Sequence, residues 1–466
     1  MSLDETFATD WTAAGEAGLD DTIALRRAIH AEPEVGLHCP LTTAKIKAAL
    51  AGLPLEIHDS TSTTGFIAIL KGQAGDNGRT VLLRGDMDAL PMQEETGLPF
   101  ASTIPGRMHA CGHDSHTAML VGAAKALCAR RESLPGTIVF MFQPGEEGYH
   151  GARFMIDDGL LAIARPDAAF ALHITPNAPA GVVVTRGGPI MASADTIHAT
   201  IRGAGGHAAM PHDCIDPIPV ACEIVTALQT FIARRIPVTD PAVLSVTKIE
   251  AGSAHNIVPG QVTMLGTLRT LSEGTRATMQ AAFQRIAEHI ATAHGATAET
   301  RIEAGYPVTV NDPRGAALIE GVAGTLGQPF ATMPQPMMGA EDFSYVLRET
   351  PGAFAFIGVA PVGSDPATNP PLHNTRMTIE ESVMAKGVAM HCAIATRFWR
   401  TGSIERGAGR PLALTRHPGR RAGVPLLSGR GEKRDPGSSP GGRGGCGHPL
   451  CDHFLIRPIS TSRSCR

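Results

Sequence analysis

The sequence has few aromatic residues and no long apolar run. Aromatic residues make up 4% of its 466 residues. No segment approaches the roughly 20 consecutive apolar residues that a membrane-spanning helix needs. The first eleven residues include Asp4, Glu5 and Asp10 and no basic residue ahead of an apolar stretch, so they do not resemble a secretory signal. We therefore expect a cytoplasmic protein that is not integral to a membrane.

Cysteine is also scarce. Nine cysteines in a chain of this length are too few for a disulfide framework, and an odd number cannot pair fully within one chain. Most are predicted to be free thiols, with one available as a metal ligand. No G-x-G-x-x-G or P-loop sequence stands at a strand-to-helix turn, so the sequence gives no support for a nucleotide cofactor.

The formal net charge of −4 is unevenly distributed along the chain. Residues 402–466 hold 12 of the 40 Lys and Arg residues but only 4 of the 44 Asp and Glu residues, and 20 of these 65 residues are Gly or Pro. This composition predicts a disordered basic tail. Two alternatives are a nucleic-acid contact, although the aromatic residues of a stacking surface are missing, and a translated frameshift or read-through.

Before the tail, short apolar runs and helical patterns alternate. A chain of 466 residues suggests two to four domains. The pattern predicts an α/β catalytic domain whose central mixed sheet is covered by helices. The supporting segments are two helices within 19–50, strands at 65–70, 79–84, 136–142, 168–172 and 353–357, and helices at 115–129 and 380–400.

The segment between about residues 187 and 304 has a different order of elements. Its patterns predict strand, helix, strand, strand, helix and strand, which is the ferredoxin-like order. We therefore expect an inserted ferredoxin-like α+β domain. The predicted organisation is a catalytic domain in two parts, 1–186 and 305–401, the insertion at 187–304, and the tail at 402–466.

Two short motifs contain the residue types of a metal site. Cys111 and His113 are two residues apart, so in an extended or turn conformation both can face one point. Glu146 and Glu147 follow a strand, where one carboxylate can bind a metal and the other can address a water molecule. Taken singly, the first motif could be a polar loop with an incidental cysteine, and the second a solvated acidic turn.

Two histidines complete the candidate set. His173 directly follows a predicted strand, at the edge where α/β sheets bind ligands, and His373 stands in a loop before the last helix. A lone histidine is more often structural, but one thiol, three imidazoles and a carboxylate within one α/β unit favour two divalent ions rather than one. A metal-bound water ionises near neutral pH, and Glu146 is our candidate to take its proton.

Five motifs also occur in an order that resembles a known family. The chain is similar to the amidohydrolases that include hippurate hydrolase, N-acyl-amino-acid amidohydrolases and indoleacetyl-amino-acid hydrolases, within the wider aminoacylase and carboxypeptidase G group. The resemblance covers about residues 20–400. The motifs are residues 83–91 (LRGDMDALP), 108–114 (MHACGHD), 143–147 (QPGEE), 205–212 (GGHAAMPH) and 339–343 (GAEDF).

The resemblance implies a specific ligand set for two ions. Cys111 would bridge them, Glu147 and His373 would bind one ion, and His113 and His173 would bind the other. Glu146 would be the general base. The ions could be Mn, Zn, Co or Ni. Two further acidic residues, which would support the ligands without binding metal, occupy positions where the wider group has a metal-binding histidine and its orienting aspartate: Asp86 and Asp88.

The resemblance also assigns residues of the insertion. His207 would reach the active site of a partner subunit and stabilise the developing oxyanion. Asn256 and Arg269 would contact the substrate's carbonyl and carboxylate, although Arg269 could equally be a strand-surface charge. These roles imply a homodimer or homotetramer formed through the inserted domain.

The expected function is metal-dependent hydrolysis of N-acyl amino acids, hippurate-like or N-acetyl, to a carboxylic acid and a free amino acid. The alternatives within the same chemistry are a dipeptidase or carboxypeptidase and an N-acetyl-diamino-acid deacetylase. From other classes, the chain could be a binding protein that holds metal without turnover, or the basic tail could serve as a tether to nucleic acid or a partner.

Overall fold

The computed structural model describes residues 3–75 and 77–400, with side chains described from residue 10 onward. The predicted tail, 402–466, lies outside the described residues. The helices are α1 (Leu3–Ala17), α2 (Leu19–His30), α3 (Pro40–Ala49), α4 (His113–Cys128), α5 (Gly151–Asp157), α6 (Leu160–Ala164), α7 (Pro217–Arg235), α8 (Glu273–Ala293), α9 (Pro313–Thr325), α10 (Phe343–Glu349) and α11 (Met384–Arg400). The strands are β1 (Glu56–Asp59), β2 (Phe66–Lys71), β3 (Thr80–Asp86), β4 (Thr137–Gln143), β5 (Ala168–Thr175), β6 (Val183–Thr185), β7 (Gly188–Met191), β8 (Asp195–Arg202), β9 (Gly206–His207), β10 (Ala242–Ala251), β11 (Ile257–Val258), β12 (Gln261–Thr270), β13 (Thr297–Ala304), β14 (Thr309–Asn311), β15 (Phe330–Thr332) and β16 (Gly352–Gly358).

The larger of the sheets has eight strands in the order β1-β2-β4-β3-β5-β16-β6-β15. It is mixed, because β1, β2 and β4 pair antiparallel while β4, β3, β5 and β16 run parallel to their neighbours. The predicted central mixed sheet is confirmed. Since parallel strands end at the same edge, the loops that follow β3, β4, β5 and β16 lie close together.

Alternating side chains explain why helices cover both faces of this sheet. Along β2, Phe66 and Leu70 pack into a core with residues of α4 and α11, whereas Ile67 and Ile69 pack into a second core with residues of α5 and α10. Successive side chains of a strand point to opposite faces, so an unbroken apolar run indicates a sheet that is buried on both sides.

The second sheet has four antiparallel strands in the order β10-β12-β8-β13. Along β8, Ile197, Ala199 and Ile201 are buried in a core shared with α7 and α8, while the intervening residues are more exposed. The order of elements along the chain, β8-α7-β10-β12-α8-β13, is the predicted ferredoxin-like one. The domain boundaries at 186/187 and 304/305 stay predictions.

Helix α1 is an element that the sequence analysis does not predict. Its Trp11 is buried and donates a hydrogen bond from Nε1 to Oγ1 of Thr396 in α11, at 3.2 Å. Trp399, near the end of α11, is buried as well, and its carbonyl accepts a hydrogen bond from Arg79, one residue before β3 begins. This helical pair therefore reaches the edge of the sheet where the parallel strands start.

The described residues also bear on the expectations of free thiols and of a chain without membrane-spanning helices. Six cysteines in the described ranges are free thiols, in agreement with the sequence analysis: Cys39, Cys111, Cys128, Cys214, Cys222 and Cys392. Within residues 3–75 and 77–400, no helix combines the length and the apolar character that crossing a bilayer demands.

Candidate metal centre

The predicted site residues gather at the edge where the parallel strands end. β3 ends at Asp86, β4 ends three residues before Glu146, and His173 lies near the end of β5. A cavity of about 570 Å³ opens beside them. Its lining includes the predicted base and four of the five predicted ligands: Cys111, Glu146, Glu147, His173 and His373.

Cys111 stands at the centre of the predicted ligands. Its Sγ lies 3.4 Å from Nε2 of His173 and 3.3 Å from Nε2 of His373. Oε1 of Glu147 lies 3.1 Å from Nε2 of His373 and 3.9 Å from Nε2 of His113. The candidate ligand atoms form two groups that share Cys111, one with His113 and His173 and the other with Glu147 and His373. The structure thus brings together all five predicted ligands.

The chain between Cys111 and His113 adopts the turn, which is one of the two predicted conformations. His113 is also the first residue of α4, which the prediction begins two residues later. Gly112 makes this possible with a left-handed backbone, φ 82°, which a residue with a Cβ rarely adopts. A Cβ at Gly112 would also lie 2.4 Å from Cδ1 of Ile174. The glycine therefore lets the chain reverse between two ligands.

The buried atoms of this group fit a divalent cation. Neither ring nitrogen of His113 makes a hydrogen bond within the described chain, although the ring is fully buried. Burial alone would lower the pKa of His113, but the charges of Asp86, Asp88 and Glu147 raise it to about 10. Such an excess of negative charge stabilises a cation, and the thiolate, imidazole and carboxylate donors suit Zn, Mn, Co or Ni.

His173 is oriented as a neutral ligand. Its Nδ1 donates to the carbonyl of Ile174 at 2.7 Å, which leaves the lone pair of Nε2 facing Cys111. Burial lowers the pKa of His173 well below its usual value. His116 supports the same strand end: its Nε2 accepts from the Ile174 amide, so its Nδ1 donates to Asp86, at 2.6 Å.

Asp88 fixes the backbone of the two adjacent glutamates. Its carboxylate accepts a hydrogen bond from the amide of Glu146 at 2.9 Å and another from the amide of Glu147 at 3.1 Å. The family resemblance implies that Asp88 supports the ligands, but it does not specify which group Asp88 contacts. Because one carboxylate accepts from both amides, the backbone positions of Glu146 and Glu147 are fixed relative to each other.

Glu146 is buried among other carboxylates. Burial raises its pKa well above the usual value, and the charges of Glu341 and Glu147 raise it further. Arg84, also buried, balances part of this charge through ion pairs with Glu341 at 2.9 Å and Asp342 at 3.1 Å. A raised pKa makes the Glu146 carboxylate a stronger base, which is a property that a general base needs.

Arg269 lines the same cavity as the predicted ligands. It is half-buried, and its Nε donates to Oγ1 of Thr267 at 3.1 Å. Burial lowers the pKa of Arg269, which shows that its charge is partly desolvated. A guanidinium in this position can accept a carboxylate from a ligand in the cavity.

His207 and Asn256 lie elsewhere in the described chain. His207 is exposed on the short β9–β11 ribbon, and the carbonyl of Asn256 accepts a hydrogen bond from the next residue, Ala208, at 3.1 Å. Neither residue lines the cavity with Cys111 and Glu146. The structure brings His207 and Asn256 close to each other and does not bring them to the candidate ligands of their own chain.

Several residues around the site are absent from the sequence prediction. His116 could have been found, because it follows His113 by three residues on a helix and therefore shares its face. Glu341 and Asp342 belong to a motif that supports the family resemblance, but the sequence alone gives them no role. Other contacts depend on tertiary packing and leave no local signal: Arg84 with Glu341, and Tyr306 with Glu146.

Comparison with known families agrees with this geometry. The sequence model of the family described as "Peptidase family M20/M25/M40" matches residues 82–397. "N-acetylcysteine deacetylase" of Bacillus subtilis is 40% identical over 337 residues, which cover 72% of this chain and 87% of that protein. "IAA-amino acid hydrolase ILR1-like 4" of Arabidopsis thaliana is 35% identical over 385 residues, which cover 81% of this chain and 86% of that protein.

A solved structure is similar in both sequence and fold. It is the crystal structure of the YXEP protein of Bacillus subtilis, described as a dinuclear metal binding peptidase from the M20 family. The two chains superpose with a TM-score of 0.72 at 34% identity, over 83% of this chain and 99% of that one.

Proposed function

The chain belongs to peptidase family M20/M25/M40 and is a metal-dependent amidohydrolase, and we propose that it cleaves the amide bond of N-acyl amino acids. The products would be a carboxylic acid and a free amino acid. One observation supports this most strongly: two groups of candidate ligands share Cys111, and the buried Glu146 carboxyl lies in the same cavity.

We propose that two divalent ions, Mn, Zn, Co or Ni, are held by the five predicted ligands. Glu147 and His373 would hold one ion, His113 and His173 the other, and Cys111 both. When bound, the ions would polarise the amide carbonyl and make nearby water more acidic. Burial and the charges of Glu147 and Glu146 raise the pKa of the Cys111 thiol, so this thiol needs a cation beside it in order to ionise.

Glu146 is the proposed proton carrier of the reaction. Its carboxyl group lines the cavity, and burial together with the neighbouring carboxylates raises its pKa, which makes the carboxylate a stronger base. It would take a proton from the attacking water and deliver it to the leaving nitrogen, so that the amine departs neutral. Asp88 keeps the carboxyl in place through the Glu146 backbone amide.

Arg269 is the proposed carboxylate-binding residue. It lies in the same cavity as Glu146, and its partly desolvated guanidinium can form two hydrogen bonds to the free carboxylate of an N-acyl amino acid. His207 and Asn256 would act from a partner subunit, which is compatible with their exposed position away from the cavity. The protein would then be a homodimer or homotetramer, and light scattering would test this.

A peptidase is the second candidate, because the relatives include proteins named for that activity. "Thermostable carboxypeptidase 1" of Saccharolobus solfataricus is 36% identical over 383 residues, which cover 81% of this chain and 95% of that protein. A dipeptide also presents an amide and a free carboxylate, so it could use the same groups. An N-acetyl-diamino-acid deacetylase is a further alternative within the same chemistry.

The function is tested by supplying Mn²⁺ or Zn²⁺ and measuring amino-acid release from hippurate, N-acetyl amino acids and dipeptides. Glu146→Gln should abolish release while two ions per chain still bind, whereas Glu132→Gln, on an exposed turn, should not change it. Release from dipeptides alone would favour the peptidase. Two bound ions with no release from any of these substrates would contradict the proposed substrate class. The cytoplasmic location stays a prediction, which cell fractionation would check.

A further inference from the structure

The side chain of Tyr306 contacts the loop that contains the proposed base. The chain has three tyrosines, and this one is buried at 6% exposure. Its hydroxyl donates a hydrogen bond to the carbonyl of Glu146 and accepts one from the amide of Gly148 at 2.7 Å. One hydroxyl group therefore bonds to the backbone on both sides of Glu147.

The loop needs such a support because glycines flank its two glutamates. Gly145 and Gly148 both have left-handed backbones, with φ values of 72° and 86°. Glycine has the widest choice of backbone conformations, so contacts from outside the loop add to its own hydrogen bond from the Gly148 amide to the Glu146 carbonyl, at 2.7 Å. Asp88 accepts from the amides of Glu146 and Glu147, while the Tyr306 hydroxyl bonds to the Glu146 carbonyl and the Gly148 amide. Together they bind four polar backbone groups between Glu146 and Gly148.

Tyr306 is itself held firmly. Its ring packs edge-to-face against His150, with the ring centroids 4.9 Å apart, and against Tyr345 at 6.1 Å. Its backbone carbonyl accepts a hydrogen bond from Ala194, at 3.0 Å, in the connection that leads into β8. Burial raises the pKa of the Tyr306 hydroxyl far above its usual value, so the hydroxyl keeps its proton and stays a donor.

We propose that Tyr306 is a positioning residue for the reaction. Its hydroxyl would fix the Glu146–Gly148 backbone so that the Glu146 carboxyl reaches both the attacking water and the leaving nitrogen. This inference rests on the proposed function, because it assumes that Glu146 transfers the proton. Misplacement of a reacting group by about 1 Å can lower the rate by about 100-fold, so a backbone contact of this kind can control turnover.

Tyr306→Phe is the direct test, since it removes only the hydroxyl and keeps the packed ring. We expect kcat to fall by about 10- to 100-fold, with KM within about two-fold and two ions still bound. The matched control is Tyr149→Phe in the same loop, because Tyr149 is 43% exposed. This control should keep kcat within about three-fold of the parent enzyme.

Three results would overturn the proposal. An unchanged kcat in Tyr306→Phe would show that the hydroxyl is not needed. An equal loss in Tyr149→Phe would show that the effect is not specific to Tyr306. Loss of bound metal together with a large fall in Tm would assign Tyr306 a structural role. If the parent enzyme released no amine from any amide, the proposed function itself would fail, which is a separate outcome.

Discussion

Two clusters of buried charged residues meet at the start of α4, and they differ in how completely their negative charges are paired with positive charges of the protein. We call the first the paired cluster: Arg26, His30, Glu94, Asp114 and Glu381. In it, Arg26 binds Asp114 at 3.0 Å and Glu381 at 2.7 Å, while His30 binds Asp114 at 2.7 Å and Glu94 at 3.2 Å. Almost every buried charge in this cluster has an opposite charge from the protein beside it.

We call the second group the site cluster: Asp86, Asp88, Glu146, Glu147, Glu341 and Asp342, with Arg84 and the histidine ligands. Arg84 is its one permanent cation among the described residues, and it bonds directly to Asp86, Glu341 and Asp342. A buried charge without a partner is costly. The difference indicates that the chain completes one cluster itself and leaves the other to be completed by bound cations.

Removing the metal should therefore affect the site cluster severely. We expect chelation to abolish turnover and to lower the free energy of unfolding by about 4 kcal/mol, if the ions are normally present at about 1,000 times their Kd. Added Mn²⁺ should restore both. Calorimetry and amine release on chelated and reconstituted protein would measure this. A chelated protein with verified loss of metal and an unchanged Tm would contradict the comparison.

Breaking the paired cluster should cost nearly as much stability. Arg26→Met leaves Asp114 with His30 alone and Glu381 with only the exposed Arg27, so we expect a loss of about 3–5 kcal/mol. Arg27→Met is the matched control, because Arg27 binds the same Glu381 from an exposed position and should cost no more than about 1 kcal/mol. Urea unfolding of the two variants would decide. Equal losses would show that burial of the pair is not what matters.

The paired cluster should also give a distinct pH dependence. Burial alone would lower the pKa of His30, but its contacts with Asp114 and Glu94 outweigh this and raise the pKa to about 9. The ordinary value of about 6.5 holds in the unfolded chain. The stabilisation is thus fully present below pH 6.5 and is lost as the pH rises through 9, by about 3 kcal/mol in total.

His30→Asn tests this pH dependence because it removes the titrating group. Urea unfolding between pH 6 and pH 10 should show a steeper loss of stability for the parent protein than for the variant. Parallel curves for the two proteins would mean that His30 does not change its charge in this range.

The smallest expected effect concerns backbone strain, which occurs both beside the cavity and away from it but should affect catalysis only beside the cavity. His150 lines the cavity and Arg165 lies on an exposed turn, yet both have left-handed backbones, with φ values of 60° and 46°. His150→Gly and Arg165→Gly should each relieve about 1 kcal/mol of strain, partly offset by the greater freedom of glycine in the unfolded chain.

Only His150→Gly should alter catalysis, because its ring packs against Tyr306 and its Nδ1 lies 3.0 Å from the Tyr345 hydroxyl. Thermal unfolding and kcat/KM of the two variants would show this. If Arg165→Gly changed kcat/KM as much as His150→Gly did, strain near the cavity would have no special role.

The sequence predicts those elements whose burial pattern is strong. The apolar runs locate β2, β3, β4, β5 and β16 to within about three residues at each end, because strands buried on both faces are apolar throughout. The short strands β1, β6 and β15 are missed, since three or four residues are too few to show a clear period. Helix α1 is missed because its packing on α11 depends on a contact 385 residues away.

At the site too, residues in local motifs are predictable and residues that act through tertiary contacts are not. Compact motifs contain Cys111, His113 and Glu147, so the residue types and their spacing predict a metal centre. Arg84 could not be identified, because a lone arginine in a strand gives no sign that three carboxylates surround it in the fold. His207 and Asn256 depend on a partner subunit in the proposed function, so neither the sequence nor a single chain can place them against the substrate.

The positions of Trp11 and Trp399 determine which spectroscopic signals will be informative. They are the two tryptophans of the chain: Trp11 bonds from α1 to α11, and Trp399, near the end of α11, lies close to where the parallel strands begin, so both are away from the candidate ligands at the strand ends. Intrinsic fluorescence will therefore follow the docking of the first helix and change little when metal enters. Titrations of the site need a signal that originates there, such as the visible absorption of Co²⁺ beside the Cys111 thiolate.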